Sequence, residues 1–282
     1  MDYLSTLNKE QLEAVKNTQG PTMVIAGAGS GKTRVLTYRI AYLISNGVDP
    51  FNILALTFTN KAAKEMKARI ADIIGTSEAK NISMGTFHSV FAKILRNHSQ
   101  KIGYPTNFTI YDSQDSKSLL KTIIKELNLD DKIYKPSLVH GRISSAKNNL
   151  ISAAEYEANA EIVGEDRMSA KPRLFEIYKT YEKRCFMAGA MDFDDLLFKT
   201  NILLRDHPEV LHYYQHKFKY ILVDEYQDTN YSQYLIVKKL AAVFTNICVV
   251  GDDDQGIYGW RGANIENILN FKNDYPDYKI FK

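Results

Sequence analysis

A turn carrying three glycines at alternate positions does most to decide what this chain can fold into. The segment Met23-Val-Ile-Ala-Gly-Ala-Gly-Ser-Gly-Lys-Thr33 reads as a short apolar strand, a glycine-rich loop and the start of a helix. Gly27, Gly29 and Gly31 allow backbone conformations that turn several N–H groups inward, and the following helix adds its positive N-terminal end. Such a loop suits phosphate. Ala26, Gly27, Ala28, Gly29, Ser30 and Gly31 would form the cradle. Lys32 would reach the β- and γ-phosphates of ATP, and the Thr33 hydroxyl would ligate Mg2+. Ala26 is a departure, since the pattern G-x-x-x-x-G-K-[ST] begins with glycine.

A second segment supplies what a phosphate loop lacks. Phe218-Lys-Tyr-Ile-Leu-Val-Asp-Glu-Tyr-Gln-Asp228 is an apolar strand that ends in carboxylates. Doubly wound sheets bind ligands at the carboxyl ends of their strands, which would set Asp224 and Glu225 beside the loop. Phosphoryl transfer to water needs a held metal and a group that orients the attacking water. Asp224 fits the first role and Glu225 the second, although an acidic pair alone is an ordinary turn. A third strand end, Val249-Val-Gly-Asp-Asp-Asp-Gln-Gly-Ile-Tyr-Gly-Trp-Arg-Gly-Ala263, would bring Gln255 to the γ-phosphate or the water. Tyr258 and Trp260 would offer ring faces to bases. Trp260 is the single tryptophan, and core packing is the plainer reading of it.

Five compact apolar runs predict buried strands of a parallel sheet: Met23–Ala26, Ile53–Phe58, Ile82–Thr86, Tyr220–Val223 and Ile247–Val250. Between them Lys61–Ile74 carries Ala62, Met66, Ile70 and Ile73 at helical spacing and stops at Gly75. The alternation breaks between about Asn107 and Met191. There Asp112 and Asp115 predict a capped helix bearing Leu119, Leu120, Ile123, Ile124 and Leu127. Leu174, Ile177, Tyr181 and Cys185 predict another after Pro172. Asp130–Lys135 and Asn148–Ser169 read as looser polar segments. The expected fold class is α/β, a parallel-sheet phosphate-loop lobe over 1–106 and 192–282, interrupted by a mainly helical subdomain over 107–191.

Composition sets outer limits only. With 45% hydrophobic and 24% charged residues the chain is an ordinary globular one. A formal net charge of +3 leaves any nucleic-acid reading to local residues. Cys185 and Cys248 lack metal or disulfide spacing, and no apolar run approaches the ~18 residues of a membrane span, so a cytoplasmic protein is expected.

Together, in this order, the three segments resemble the UvrD/Rep/PcrA-like superfamily 1 DNA helicases, and the resemblance covers the whole chain. It implies a RecA-like lobe and ATP hydrolysis coupled to 3′-to-5′ movement on single-stranded DNA, with single-strand/duplex junctions as substrates. Leu7-Asn8-Lys-Glu-Gln11 matches the family's glutamine motif and implies that Gln11 contacts adenine. Asn8 and Gln11 also have capping-box spacing. Arg34 is implied as a further nucleotide contact, and Arg261 as a bridge between nucleotide and DNA. Thr57, Phe58, Asn60 and Lys61, with Thr86 and His88, match single-strand-binding segments. Phe193 in Met191-Asp-Phe-Asp-Asp-Leu-Leu197 would line a base pocket. For Thr59 or Asn60 helix capping is the plainer alternative, for Phe87 a core position, and for the 191–197 segment an acidic helix start. Gly256 and Asn264 depart from the serine and aspartate common in the family. The family also implies a second RecA-like lobe beyond Lys282 that supplies arginines to the γ-phosphate, so this portion alone is expected to hydrolyse ATP weakly. Two other readings stay open: the motor part of a RecB/AddA-like nuclease-helicase, and a translocase or DNA-binding module that does not separate strands.

Overall fold

The computed structural model describes residues 2–27, 31–252 and 265–282. They form two compact units, one of residues 1–90 and 208–282, the other of residues 91–207. Among the described residues no helix is long and apolar enough to cross a membrane.

The first unit is built on six parallel strands. They are β1 (Thr22–Ile25), β2 (Ile53–Thr57), β3 (Ser83–Thr86), β6 (Tyr220–Val223), β7 (Ile247–Gly251) and β8 (Lys279–Phe281), in spatial order β3-β2-β6-β7-β1-β8. The five runs read from sequence fall on the first five of these, with ends shifted by no more than one residue. All residues of β2 and β7 are buried, as expected where both faces of a parallel sheet are covered. β8 was not foreseen. Lys-Ile-Phe is too short and too exposed to carry an apolar run, and it is fixed instead by pairing with β1 at the sheet edge.

Three helices matter for the site. Helix α1 (Lys9–Lys16) is closed by an Asn8–Gln11 capping box, so that structural reading holds. Helix α2 (Lys32–Ser45) leaves the phosphate loop. Helix α3 (Asn60–Ile74) is capped by the Thr59 side chain, which accepts from the Ala62 N–H, and ends at Gly75. Val35, Leu36 and Ile40 of α2 and Met66 and Ile70 of α3 join β1, β2 and β7 side chains in one core. Arg39, 2% exposed in the middle of α2, is satisfied by the Ala14 carbonyl and the Thr22 hydroxyl, which ties α1 to the sheet.

The second unit has its own core, with Leu120, Ile123, Ile124, Tyr156, Ile177, Tyr178 and Tyr181 at its centre. The expected helices appear as Ser113–Glu126, started by an Asp112–Asp115 capping box, and Leu174–Met187. The predicted insertion 107–191 lies inside this unit. Two features differ from the reading. A two-stranded parallel sheet pairs β4 (Thr109–Tyr111) with β5 (Ala190–Asp192). Part of the segment expected to be loose forms short helices, Ala153–Ala158 and Ala160–Met168, because Ser152 and Asn159 cap them. At the centre, Lys147 is 1% exposed and its Nζ lies 2.7 Å from Asp192 Oδ2 and 3.0 Å from Asp195 Oδ1.

Candidate nucleotide and DNA site

The strand order decides which loops meet. β7 lies between β1 and β6, so the phosphate loop after β1 and the carboxylates after β6 flank the residues that end β7. The Ala26 N–H donates to the Gly251 carbonyl at 3.1 Å and extends the β1–β7 ladder into the loop. The Asp224 N–H likewise donates to the Leu56 carbonyl of β2 at 2.9 Å. Gly31, at φ +91°, is in the left-handed region and turns the loop into α2, a conformation that glycine adopts without steric cost. A Cβ there would also sit 3.1 Å from Gln11 Nε2.

At this edge four functional groups converge. The Thr33 hydroxyl donates to Asp224 Oδ2 at 3.4 Å, and Lys32 Nζ is 3.8 Å from Glu225 Oε2. Asp224 is 3% exposed, and burial, then the neighbouring Glu225 charge, push its carboxyl up to about 6. A carboxylate so placed favours a cation, which would restore its ionised form. Thr33 and Asp224 are therefore a fitting donor set for Mg2+. Glu225 itself adopts φ +46°, ψ +48°, a left-handed conformation that costs a non-glycine residue about 1–2 kcal/mol. Such strain persists where surrounding contacts enforce it, commonly at functional sites.

Two residues that the sequence reading passed over complete this edge. Asp252, 4% exposed, takes Lys32 Nζ at 2.8 Å, the nearest carboxylate to it among the described residues. Gln227, 5% exposed, donates from Nε2 to Glu225 Oε2 at 2.7 Å and accepts the Asp252 N–H at 3.3 Å. Their signal was present in the sequence as the Gln of Asp-Glu-Tyr-Gln-Asp and the first Asp of Gly-Asp-Asp-Asp-Gln, but only the strand order shows that they meet.

On the other side of the loop, Gln11, Ala14, Val24, Ala26, Val35 and Phe281 line a partly apolar pocket that also reaches Lys32. The unexpected strand β8 thus supplies one wall. Gln11 Oε1 accepts the Asn8 N–H at 3.2 Å while its Nε2 end faces Gly31. Arg34 donates to the Thr6 carbonyl and lies 5.3 Å from the Tyr38 ring centre, near the same loop.

Residues read as single-strand contacts sit at the carboxyl ends of β2 and β3, where Thr57 and Thr86 are register partners. Phe58 lies 5.8 Å from Phe87 between ring centres. Phe87 is 1% exposed and is a core residue, the plainer of its two readings. Thr57 is buried, its hydroxyl donating to the Thr59 carbonyl, while Asn60 and Lys61 are exposed on α3. Thr86 Oγ1 accepts the Ser89 N–H and so caps the next helix, and His88 is half-buried. Phe58 and Thr59 share one open cleft with Lys32, Thr33, Arg34, Glu225 and Asp252, and Arg69 of α3, which sequence reasoning missed, lines it too. Phe193 belongs to the second unit, where it is 55% exposed beside the Asp192 cap. Ala28, Gly29, Ser30, Gln255, Gly256, Tyr258, Trp260, Arg261 and Asn264 lie outside the described residues.

Comparison with known proteins bears on this arrangement. A family model described as the UvrD/REP helicase N-terminal domain matches residues 7–276. The ATP-dependent DNA helicase PcrA of Staphylococcus epidermidis strain RP62A is 50% identical over 277 residues, covering 98% of this chain and 37% of that protein. The protein of the same name from Staphylococcus aureus strain NCTC 8325 is 50% identical over 275 residues, with 97% and 37% covered. The chain therefore spans 37% of the length of these curated relatives.

Proposed function

This chain belongs to the UvrD/REP helicase family, whose N-terminal domain model it matches over residues 7–276, and from that premise we propose that it is the ATP-binding motor lobe of a 3′-to-5′ DNA helicase. The observation that carries the reading is the meeting of Lys32, Thr33, Asp224 and Glu225 at one sheet edge, with Phe58 in the same cleft.

In this reading Gly27 to Gly31 and the N-terminus of α2 hold the phosphates, Lys32 leaves Asp252 to meet the β- and γ-oxygens, and Gln11 meets the adenine in its pocket. Thr33 and Asp224 would hold Mg2+, which would supply positive charge to offset that of the phosphates. Glu225 orients the attacking water and accepts its proton. Gln255 meets the γ-phosphate or the water, Arg261 bridges nucleotide and DNA, and arginines from a second RecA-like lobe of the intact protein complete the γ-phosphate side. Phe58, Tyr258 and Trp260 stack on bases, Thr57, Asn60, Lys61, Thr86 and His88 hold the backbone, and Phe193 of the second unit lines a base pocket.

Unwinding by the intact protein of duplexes with 3′ or 5′ single-stranded tails tests the proposal. ATP-dependent unwinding confined to 3′ tails is expected. Unwinding of 5′ tails alone overturns the polarity. ATP-driven movement that displaces bound protein without separating strands reduces the assignment to a translocase.

A further inference from the structure

We propose that Gln227 is a positioning residue for ATP hydrolysis, holding the Glu225 carboxylate in its working orientation and tying it to the end of β7 at Asp252. The inference rests on the reading of Glu225 as the group that orients the attacking water.

Hydrogen bonding fixes which way the amide points. The Asp252 N–H needs an acceptor and the Glu225 carboxylate needs a donor, so Oε1 must face Asp252 and Nε2 must face Glu225. The reverse orientation would set donor against donor and acceptor against acceptor. Gln227 is 5% exposed, so water does not readily replace either bond. Space at the junction is tight as well: a Cβ on Gly251 would stand 3.2 Å from Gln227 Oε1.

Glu225 has need of such a restraint. Its backbone is left-handed, and its side chain is 39% exposed. Lys32, at 3.8 Å, is too distant for a close hydrogen bond and belongs chiefly to Asp252. Among the described residues the amide of Gln227, at 2.7 Å, is the closest donor to the Glu225 carboxylate. Its other end holds the backbone of Asp252, the residue that takes Lys32. One side chain thus links the proposed water-orienting group to the strand end that holds the phosphate-loop lysine.

Steady-state ATP hydrolysis by the intact protein with saturating single-stranded DNA tests this, using Gln227→Leu, Gln227→Glu and Glu225→Gln. Gln227→Glu keeps the size of the side chain and the acceptor for Asp252 but, when ionised, cannot donate to Glu225, so it is assayed at pH 8 and above. Both Gln227 variants are expected to lose about 10–100-fold in kcat, the usual scale for a partner that orients a reacting group, while the KM for ATP holds in both and the Tm holds in Gln227→Glu. Wild-type kcat in Gln227→Glu overturns the proposal. A fall in kcat accompanied by weaker ATP binding and a lower Tm in both variants also overturns it, since a merely structural role would do that. Wild-type turnover by Glu225→Gln would instead remove the assignment of Glu225 itself.

Discussion

At the scale of single residues, the groups that make this site useful also make it costly to fold. Asp224 is the clearest case, its carboxyl raised from 3.8 to about 6 by burial and then by Glu225. A raised pKa means that the folded state holds the proton more tightly than the unfolded state. The stability this group contributes is complete below pH ~4 and is lost as pH rises through about 6. Asp224→Asn should therefore stabilise the metal- and nucleotide-free protein at pH 7.5, by about 1–3 kcal/mol. The gain should vanish near pH 4, and saturating MgATP should cancel it at pH 7.5 by favouring the wild-type carboxylate. Denaturant titrations in those conditions measure all of this, and equal stability of the two proteins at pH 7.5 without metal contradicts it. The same variant should lose hydrolysis by at least about a hundredfold, because the metal site loses its charge. Of the two readings of Gln11, the structure shows the capping box, which its Oε1 closes, and its Nε2 end faces Gly31. Asp252 and Gln227 were not legible as partners, because nothing local in the sequence says that β7 lies between β1 and β6.

At the scale of elements, legibility followed burial. β2 and β7 are buried along their whole length and read as unbroken apolar runs, whereas β8 is held by pairing and read as nothing. Helix starts were legible where the cap opened an apolar periodic run, as at Asp112, and not at Ser152 or Asn159. Thr59 caps α3, and Thr59→Ala should cost about 1 kcal/mol, measurable as a lower denaturation midpoint with an unchanged slope. The buried charges of the second unit escaped the reading, since Lys147 and Asp192 lie 45 residues apart and each reads alone as a surface residue. Burial opposes the charge on Lys147, but Asp192 and Asp195 outweigh it and hold the lysine well above its ordinary value. Asp195 is pushed up to about 6 by burial and by Asp192. Lys147→Met leaves those carboxylates facing each other and should cost about 3–5 kcal/mol at pH 7.5. Their repulsion needs both to be ionised, so the deficit should be smaller at pH 5 than at pH 7.5. Chemical denaturation at pH 7.5 and pH 5 compares the two, and a pH-independent deficit would refute this origin.

At the scale of the molecule, two separate cores mean two stabilities. A ligand that binds only the native state stabilises what it binds, by about 2.7 kcal/mol at a hundred times its Kd. MgATP should therefore slow amide exchange most in β1, α2, β6 and β7, the elements that hold the phosphate loop and the acidic pair; uniform or absent protection would contradict the site. The net charge of +3 offers little general attraction for DNA, so in the proposed function affinity would rest on local contacts such as Lys61 and Phe58. All of this converges on hydrolysis that depends on DNA. ATP turnover by the intact protein should be measured with and without single-stranded DNA, beside Lys32→Ala and Glu225→Gln. Turnover that rises at least about tenfold with DNA and is abolished by both substitutions is expected of a motor built on this site. Turnover indifferent to DNA, or surviving the loss of Lys32, would mean that the residues gathered at this sheet edge do not drive one.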